Sequence, residues 1–209
     1  MHIAISKKIK EEFNLSNIFL LGAILPDIIK LIIGNRKATH FEKQGIIDLD
    51  EFISKQKDLE NELVLGYYAH LIEDKIWYEL YMREKYFKLP EYSDSKLYND
   101  YSFVDNIFYK DRSIDMDTQK ISGMLYEAIE KININEICLM DSESEYIINN
   151  EKCKSKLSEI WKDYSSDGNN YFYTMHDATE YYNLCIGKVK EHLETLKPVK
   201  NILVKKGMI

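Results

Sequence analysis

Proline, glycine, cysteine and histidine are all scarce in this chain of 209 residues, at 3, 8, 3 and 5. Proline and glycine together make about 5% of the chain, where average usage gives roughly 12%. Sandwiches and barrels need these residues at nearly every corner, so their shortage excludes a turn-rich all-β fold. The cysteines, Cys138, Cys153 and Cys185, are odd in number and form no CxxC pair. They read as thiols of a reducing compartment, not as a disulfide frame. A membrane span is also missing, because the apolar run from Ile18 to Ile33 is interrupted by Pro26, Asp27 and Lys30. The opening residues pass from Met1-His2 to Lys7, Lys8, Lys10, Glu11 and Glu12 without a secretory pattern. A cytoplasmic protein is expected. An excess of positive charge is absent as well: 28 basic against 35 acidic residues leave a net charge of −7. That balance disfavours nucleic acid as a partner, although a metal site can bring its own positive charge. Finally, no Gly-rich phosphate loop and no GxSxG is present.

What is present is apolar and periodic. Hydrophobic residues make 45% of the chain and aromatics 12%, including 16 tyrosines, which excludes disorder. The length suits one domain over residues 1–209 with a core of its own. Ile5, Ile9 and Phe13 recur every four residues, which predicts a helix over 3–13. Ser16 is placed to cap a nearly all-apolar central helix over 19–33, which Pro26 should kink or restart. Residues 36–45 read as a loop or short helix, and 48–57 as a short amphipathic piece. The stripe of Leu63, Gly66, Tyr67, His70, Asp74, Trp77, Tyr78 and Tyr81 predicts one long helix over 59–87. Further helices are expected over 98–108, 117–132, 143–164 and 171–196, with a loop at 165–170 and a solvated basic tail at 197–209. The expected architecture is an all-α, single-domain multi-helix bundle.

The candidates for chemistry are histidines and carboxylates. His70 and Asp74 project from one helix face one turn apart and can grip a single ion, or simply hydrogen-bond each other. Asp74 falls within an aromatic stripe, where a carboxylate without a partner is costly. Asp27 follows Pro26 inside an apolar helix, where it serves either as a cap or as a ligand. His40, in Ala38-Thr39-His40-Phe41, and the near-terminal His2 are ordinary polar residues when taken singly.

Taken together they are more specific. His2 at the start of a helix, Leu21-Gly22-Ala23-Ile24-Leu25-Pro26-Asp27, Thr39-His40-Phe41 and Gly66-Tyr67-Tyr68-Ala69-His70-Leu71-Ile72-Glu73-Asp74 occur in an order that resembles the zinc-dependent phospholipase C family. The likeness covers roughly residues 1–80. That family belongs to a superfamily of helical metallophosphoesterases that also contains single-strand nucleases. The resemblance implies a metal site between helices, with Asp27, His40, His70 and Asp74 on one zinc and Asp74 bridging to a second ion that His2 also binds. His176 and Glu180 match the HxxxE that holds part of a third zinc in the family. The histidine expected shortly after the bridging aspartate is missing, which leaves Asp100 and Asp105 as oxygen substitutes. One or two zinc ions, or other divalent transition metals, are thus the expected cofactor.

The implied activity is hydrolysis of a small-molecule or lipid phosphoester, with Asp27 and Asp74 as catalytic residues. Arg36, Lys37 or Lys75 would meet the anionic substrate, and Tyr67, Tyr68, Tyr78 and Tyr101 would wall a pocket or pack the core. Two alternatives stand beside this reading. One is an HD-type phosphohydrolase built on the adjacent pair His176-Asp177. The other is a non-catalytic helical protein retaining a structural or degenerate metal site. His192, among Lys188, Lys190, Glu191 and Glu194, is expected to be solvent-exposed.

Overall fold

The computed structural model describes residues 1–134, 137–140, 148–160 and 171–196. Among the described residues there are ten α-helices. In chain order they are α1 (His2–Glu12), α2 (Asn17–Gly22), α3 (Leu25–Ile33), α4 (Arg36–His40), α5 (Leu49–Lys55), α6 (Glu62–Ile76), α7 (Asp94–Asp111), α8 (Thr118–Glu130), α9 (Asn150–Ile160) and α10 (Met175–Thr195). The only strands among them are β1 (Glu42–Lys43) and β2 (Ile46–Ile47), an antiparallel hairpin between α4 and α5. The protein is all-α, as the shortage of proline and glycine requires. No described helix is long and apolar enough to cross a membrane.

α6 is the axis of the bundle. It packs against α1, α2, α3, α5 and α10, and every residue from Leu63 to Glu73 is buried. Its closest neighbour is α2, and the two cross glycine against glycine. A Cβ on Gly66 would stand 2.0 Å from the Phe19 carbonyl oxygen, and one on Gly22 would stand 2.2 Å from that of Leu63. Any side chain at either position would force the helices apart.

Pro26 restarts the expected central helix instead of bending it. α2 ends at Gly22 and α3 begins at Leu25 with proline in its first turn, where a missing N–H costs nothing. Ser16 caps α2 by accepting from the Ile18 N–H. Asp27 falls in the first turn of α3, where the helix dipole favours an acid. α4 is stopped one residue after His40 by Phe41, whose backbone is left-handed at φ 52°. A bulky residue tolerates that region only when it is held there. The Phe41 ring is fully buried and packs edge-on to Phe52 at 5.1 Å.

Two expectations need correction. The uninterrupted helix over 59–87 begins at Glu62, capped by Asn61, and passes at Trp77 into a π-helical turn, Trp77–Met82. That turn faces an aromatic cluster in which Trp77 stacks on Tyr81 at 5.0 Å and meets Tyr101, Tyr173 and Tyr181 edge-on. A short 3-10 turn, Tyr86–Lys88, follows. His192 is half-buried rather than free, and its Nδ1 lies 3.0 Å from the Tyr68 hydroxyl. Of the helix expected over 143–164, the described part is α9. The loop at 165–170 and the tail at 197–209 lie outside the described residues.

Candidate metal centre

Four helices meet at one point. α6 contributes His70 and Asp74 one turn apart, α3 contributes Asp27, α4 contributes His40, and α1 contributes His2. Potential ligand atoms of Asp27, His40 and His70 all lie within 4.8 Å of one another, and so do those of His2, His70 and Asp74. Five of the seven expected metal residues are thereby brought together.

The tautomers of the two buried histidines follow from their partners. His70 Nδ1 is 2.7 Å from the carbonyl oxygen of Ala23, in the break between α2 and α3. A carbonyl has no proton to give, so Nδ1 carries the hydrogen and Nε2 is left with its lone pair. The proline that splits the helix, and the glycine crossing that brings the break against α6, therefore orient this imidazole. His40 Nδ1 is 2.7 Å from Thr39 Oγ1. That hydroxyl donates its one proton to the Arg36 carbonyl at 3.1 Å, so it accepts from His40 and leaves the His40 Nε2 lone pair bare as well. The Thr39 carbonyl in turn accepts from the buried Tyr67 hydroxyl.

The two Nε2 atoms face each other at 3.2 Å. His40 Nε2 is 3.6 Å from Asp27 Oδ1 and 3.4 Å from Asp74 Oδ2, and His70 Nε2 is 3.7 Å from the same Asp74 oxygen. Ligand atoms bound at about 2.0–2.1 Å around a tetrahedral ion stand roughly 3.3 Å apart. The four separations above, 3.2–3.7 Å, lie near that value, so the chemistry of the donors suits a divalent ion.

His2 forms the second half of the site. Its ring stacks on His70 at 4.1 Å, its Nδ1 is 2.6 Å from Glu73 Oε2, and its Nε2 is 3.3 Å from Asp74 Oδ1. Asp74 thus turns one oxygen to His40 and His70 and the other to His2. Glu73 is fully buried, and its second oxygen has no hydrogen-bond partner.

The ionisation of the group is uneven. Burial, reinforced by the neighbouring charge of His2, pushes His70 down to about 3. Burial also works against a charged His2, but Glu73 and Asp74 outweigh it and hold the imidazole up at about 10. Asp27 and Asp74 lie well below the usual carboxylate range. Burial opposes this in both, and the facing imidazoles of His40 and His70 for Asp27, and His70, His2 and Arg36 for Asp74, overcome it. Burial raises Glu73.

Other expected residues lie elsewhere. His176 and Glu180 are exposed on the first turns of α10 and join neither ligand group, and Glu180 Oε2 is 3.2 Å from the Tyr81 hydroxyl. Asp100 is not available as an oxygen substitute, because it accepts the backbone N–H groups of Tyr171, Phe172 and Tyr173 at 2.5–2.8 Å. Asp105 accepts from the Met1 amine at 3.3 Å and from the Tyr109 hydroxyl at 3.1 Å. Asp177 shares a capping box with Thr174 and pairs with Lys85 at 2.6 Å, so the adjacent pair His176-Asp177 is divided between solvent and cap. Lys75 turns to the Ile47 carbonyl, 3.1 Å away. Arg36 does reach the site, with Nη2 2.6 Å from Asp74 Oδ2. Tyr67 and Tyr68 pack on Phe52 in the core.

Glu73 and Lys30 belong to the surroundings and were not singled out by the sequence. Glu73 sits beside Asp74 in an otherwise apolar stretch, which is the one signal it offers. No family model, curated protein or solved structure matches this chain, so the chemistry of the site is read from its own atoms.

Proposed function

We propose that this protein is a metal-dependent phosphoric ester hydrolase with a mono- or dinuclear zinc centre. The observation that carries the reading is the pair of buried imidazole Nε2 atoms 3.2 Å apart, each with its Nδ1 proton already committed. Two lone pairs so placed repel unless a positive charge, a proton or a metal ion, lies between them. Asp27, His40, His70 and Asp74 would hold the first ion, and His2 with the other oxygen of Asp74 a second. Mixed imidazole and carboxylate donors suit zinc and also accept iron, manganese or nickel. A divalent ion in this set lowers the pKa of a water and polarises phosphoryl oxygens.

The chain's own groups do the rest. His40 and His70, fully buried, close the inner wall against solvent. Asp74 keeps the two halves of the site in register through its two oxygens. Asp27 is the carboxylate at the open side, where it would meet the proton of an attacking water. The phosphoester class is supported by the resemblance over residues 1–80 and by the cationic side chains at the mouth of the site. A small-molecule or lipid phosphoester is the proposed substrate and the cytoplasm the proposed setting, in keeping with buried free thiols at Cys153 and Cys185.

Metal analysis of the purified protein, with hydrolysis of a bis-nitrophenyl phosphodiester, tests the reading. Bound zinc and turnover lost in Asp27→Asn are expected. A protein that takes up no divalent ion when supplied with one refutes it.

A further inference from the structure

We propose that Lys30 and Arg36 stand in for metal charge in the ion-free protein and form the oxyanion-binding arm of the site when an ion is bound. The inference rests on the metal reading above and assigns the substrate a phosphoryl oxyanion presented from the α3–α4 side.

Exposure defines that side. The His40, His70 and Glu73 side chains are 0% exposed and Asp74 13%, whereas Asp27, Lys30 and Arg36 are 36%, 39% and 43% exposed. The site is therefore closed on its α6 face and most exposed between α3 and α4, with His2 on α1 at 24%. Both cations lie one helical turn from a ligand: Lys30 three residues after Asp27 on α3, and Arg36 four residues before His40 on α4.

The oxygens they touch are the ligand oxygens themselves. Lys30 Nζ is 3.4 Å from Asp27 Oδ1, the atom that also faces His40. Arg36 Nη2 is 2.6 Å from Asp74 Oδ2, the atom that also faces His40 and His70. An ion on those two oxygens would take over their charge and repel the ammonium and guanidinium groups. The donors so released need another acceptor, and the open side is where an anion arrives. Arg36 keeps an anchor meanwhile, since its Nε is 3.5 Å from Glu42 Oε2 at the start of the hairpin. A guanidinium fixed at one edge and free at the other suits bidentate contact with a phosphoryl group. This geometry also separates two of the three cations expected to meet substrate: Arg36 is at the mouth, while Lys75 is tied to the Ile47 carbonyl.

The test is calorimetric titration of zinc into the wild type, Arg36→Ala, Arg36→Lys and Lys30→Ala, followed by inorganic phosphate into each zinc-loaded protein. Removing Arg36 is expected to tighten zinc about fivefold or more, because a competing cation is gone. The same variant is expected to weaken phosphate at least about tenfold, because a charge-assisted donor is gone. Lys30→Ala follows in both directions with smaller effect, and Arg36→Lys recovers part of the phosphate affinity. A merely structural arginine would weaken both ligands, and that result, or unchanged phosphate binding, overturns the proposal. A wild type that binds zinc but no phosphate overturns it too. A wild type that takes up no zinc fails at the first titration, which marks failure of the metal reading instead. Competition against phosphate by a short-chain phosphatidylcholine and by a mononucleotide separates a lipid headgroup from a nucleotide as the source of the oxyanion. Displacement by either supports the assignment, and displacement by neither overturns it.

Discussion

His70 is held at both ends of its ring, with Nδ1 on a backbone carbonyl and Nε2 facing His40, and it belongs to both candidate ligand groups. His40 has the same arrangement, with a threonine hydroxyl in place of the carbonyl. Loss of such an outer partner alone costs metal sites about 10–100-fold in affinity. Loss of the imidazole itself should cost more, so His70→Ala is expected to weaken zinc by at least about 100-fold. Equilibrium dialysis against a zinc buffer measures it, and circular dichroism checks that the helices persist. At this scale the sequence was informative about residue type and spacing. The separation of His70 and Asp74 places them together on any helix, whatever the fold. The Thr39 hydroxyl and the buried Glu73 were not legible, because their roles depend on which way a neighbouring imidazole is turned. The likeness of His176 and Glu180 to an HxxxE ligand pair was legible in spacing alone, and spacing does not say where a helix is docked. Here α10 begins where Asp100 gathers the backbone of Tyr171, Phe172 and Tyr173, and its first turn faces outward at His176.

The elements carry the site through two local devices. Pro26 ends one helix and starts another, which leaves the Ala23 carbonyl free to meet His70 and sets Asp27 in a first turn. The contact of Gly22 with Gly66 lets that break approach α6 at backbone distance. Gly66→Ala would drive a methyl group to 2.0 Å from the Phe19 carbonyl oxygen. Neither backbone can give way without parting the helices, so a loss of about 3 kcal/mol or more is expected. Urea denaturation measures it, and zinc affinity should fall in the same variant because the Ala23 carbonyl is withdrawn from His70. The proline was readable as a kink or restart. The glycines were readable as members of a motif, but not as a crossing point, since close approach is a property of two segments. The π-helical turn after Ile76 was unreadable for a similar reason: the apolar periodicity of residues 59–87 runs straight through it, and the partners of Trp77 come from α7, α10 and the residues before α10.

Across the whole molecule, the candidate ligands come from α1, α3, α4 and α6, so an ion would tie together helices that span residues 2 to 76. An ion bound only by the folded chain stabilises it by about 4 kcal/mol at a thousandfold excess over its dissociation constant. Removing it with a chelator is expected to lower the melting temperature by about 10 °C, read by differential scanning calorimetry. An unchanged melting curve would contradict an ion bridging these helices. Composition and periodicity by themselves determined the all-α class and most helix positions, because helix formation and the burial of one face are properties of neighbouring residues. The resemblance over residues 1–80 pointed to His2, Asp27, His40, His70 and Asp74, but with them to His176 and Glu180, which the structure leaves apart. Only the tertiary structure decided which histidine nitrogens face inward, which carboxylates serve as caps or backbone anchors, and which cations stand at the mouth. Those outcomes depend on where separate helices are set against one another, and a distance between helices is written in no single stretch of chain.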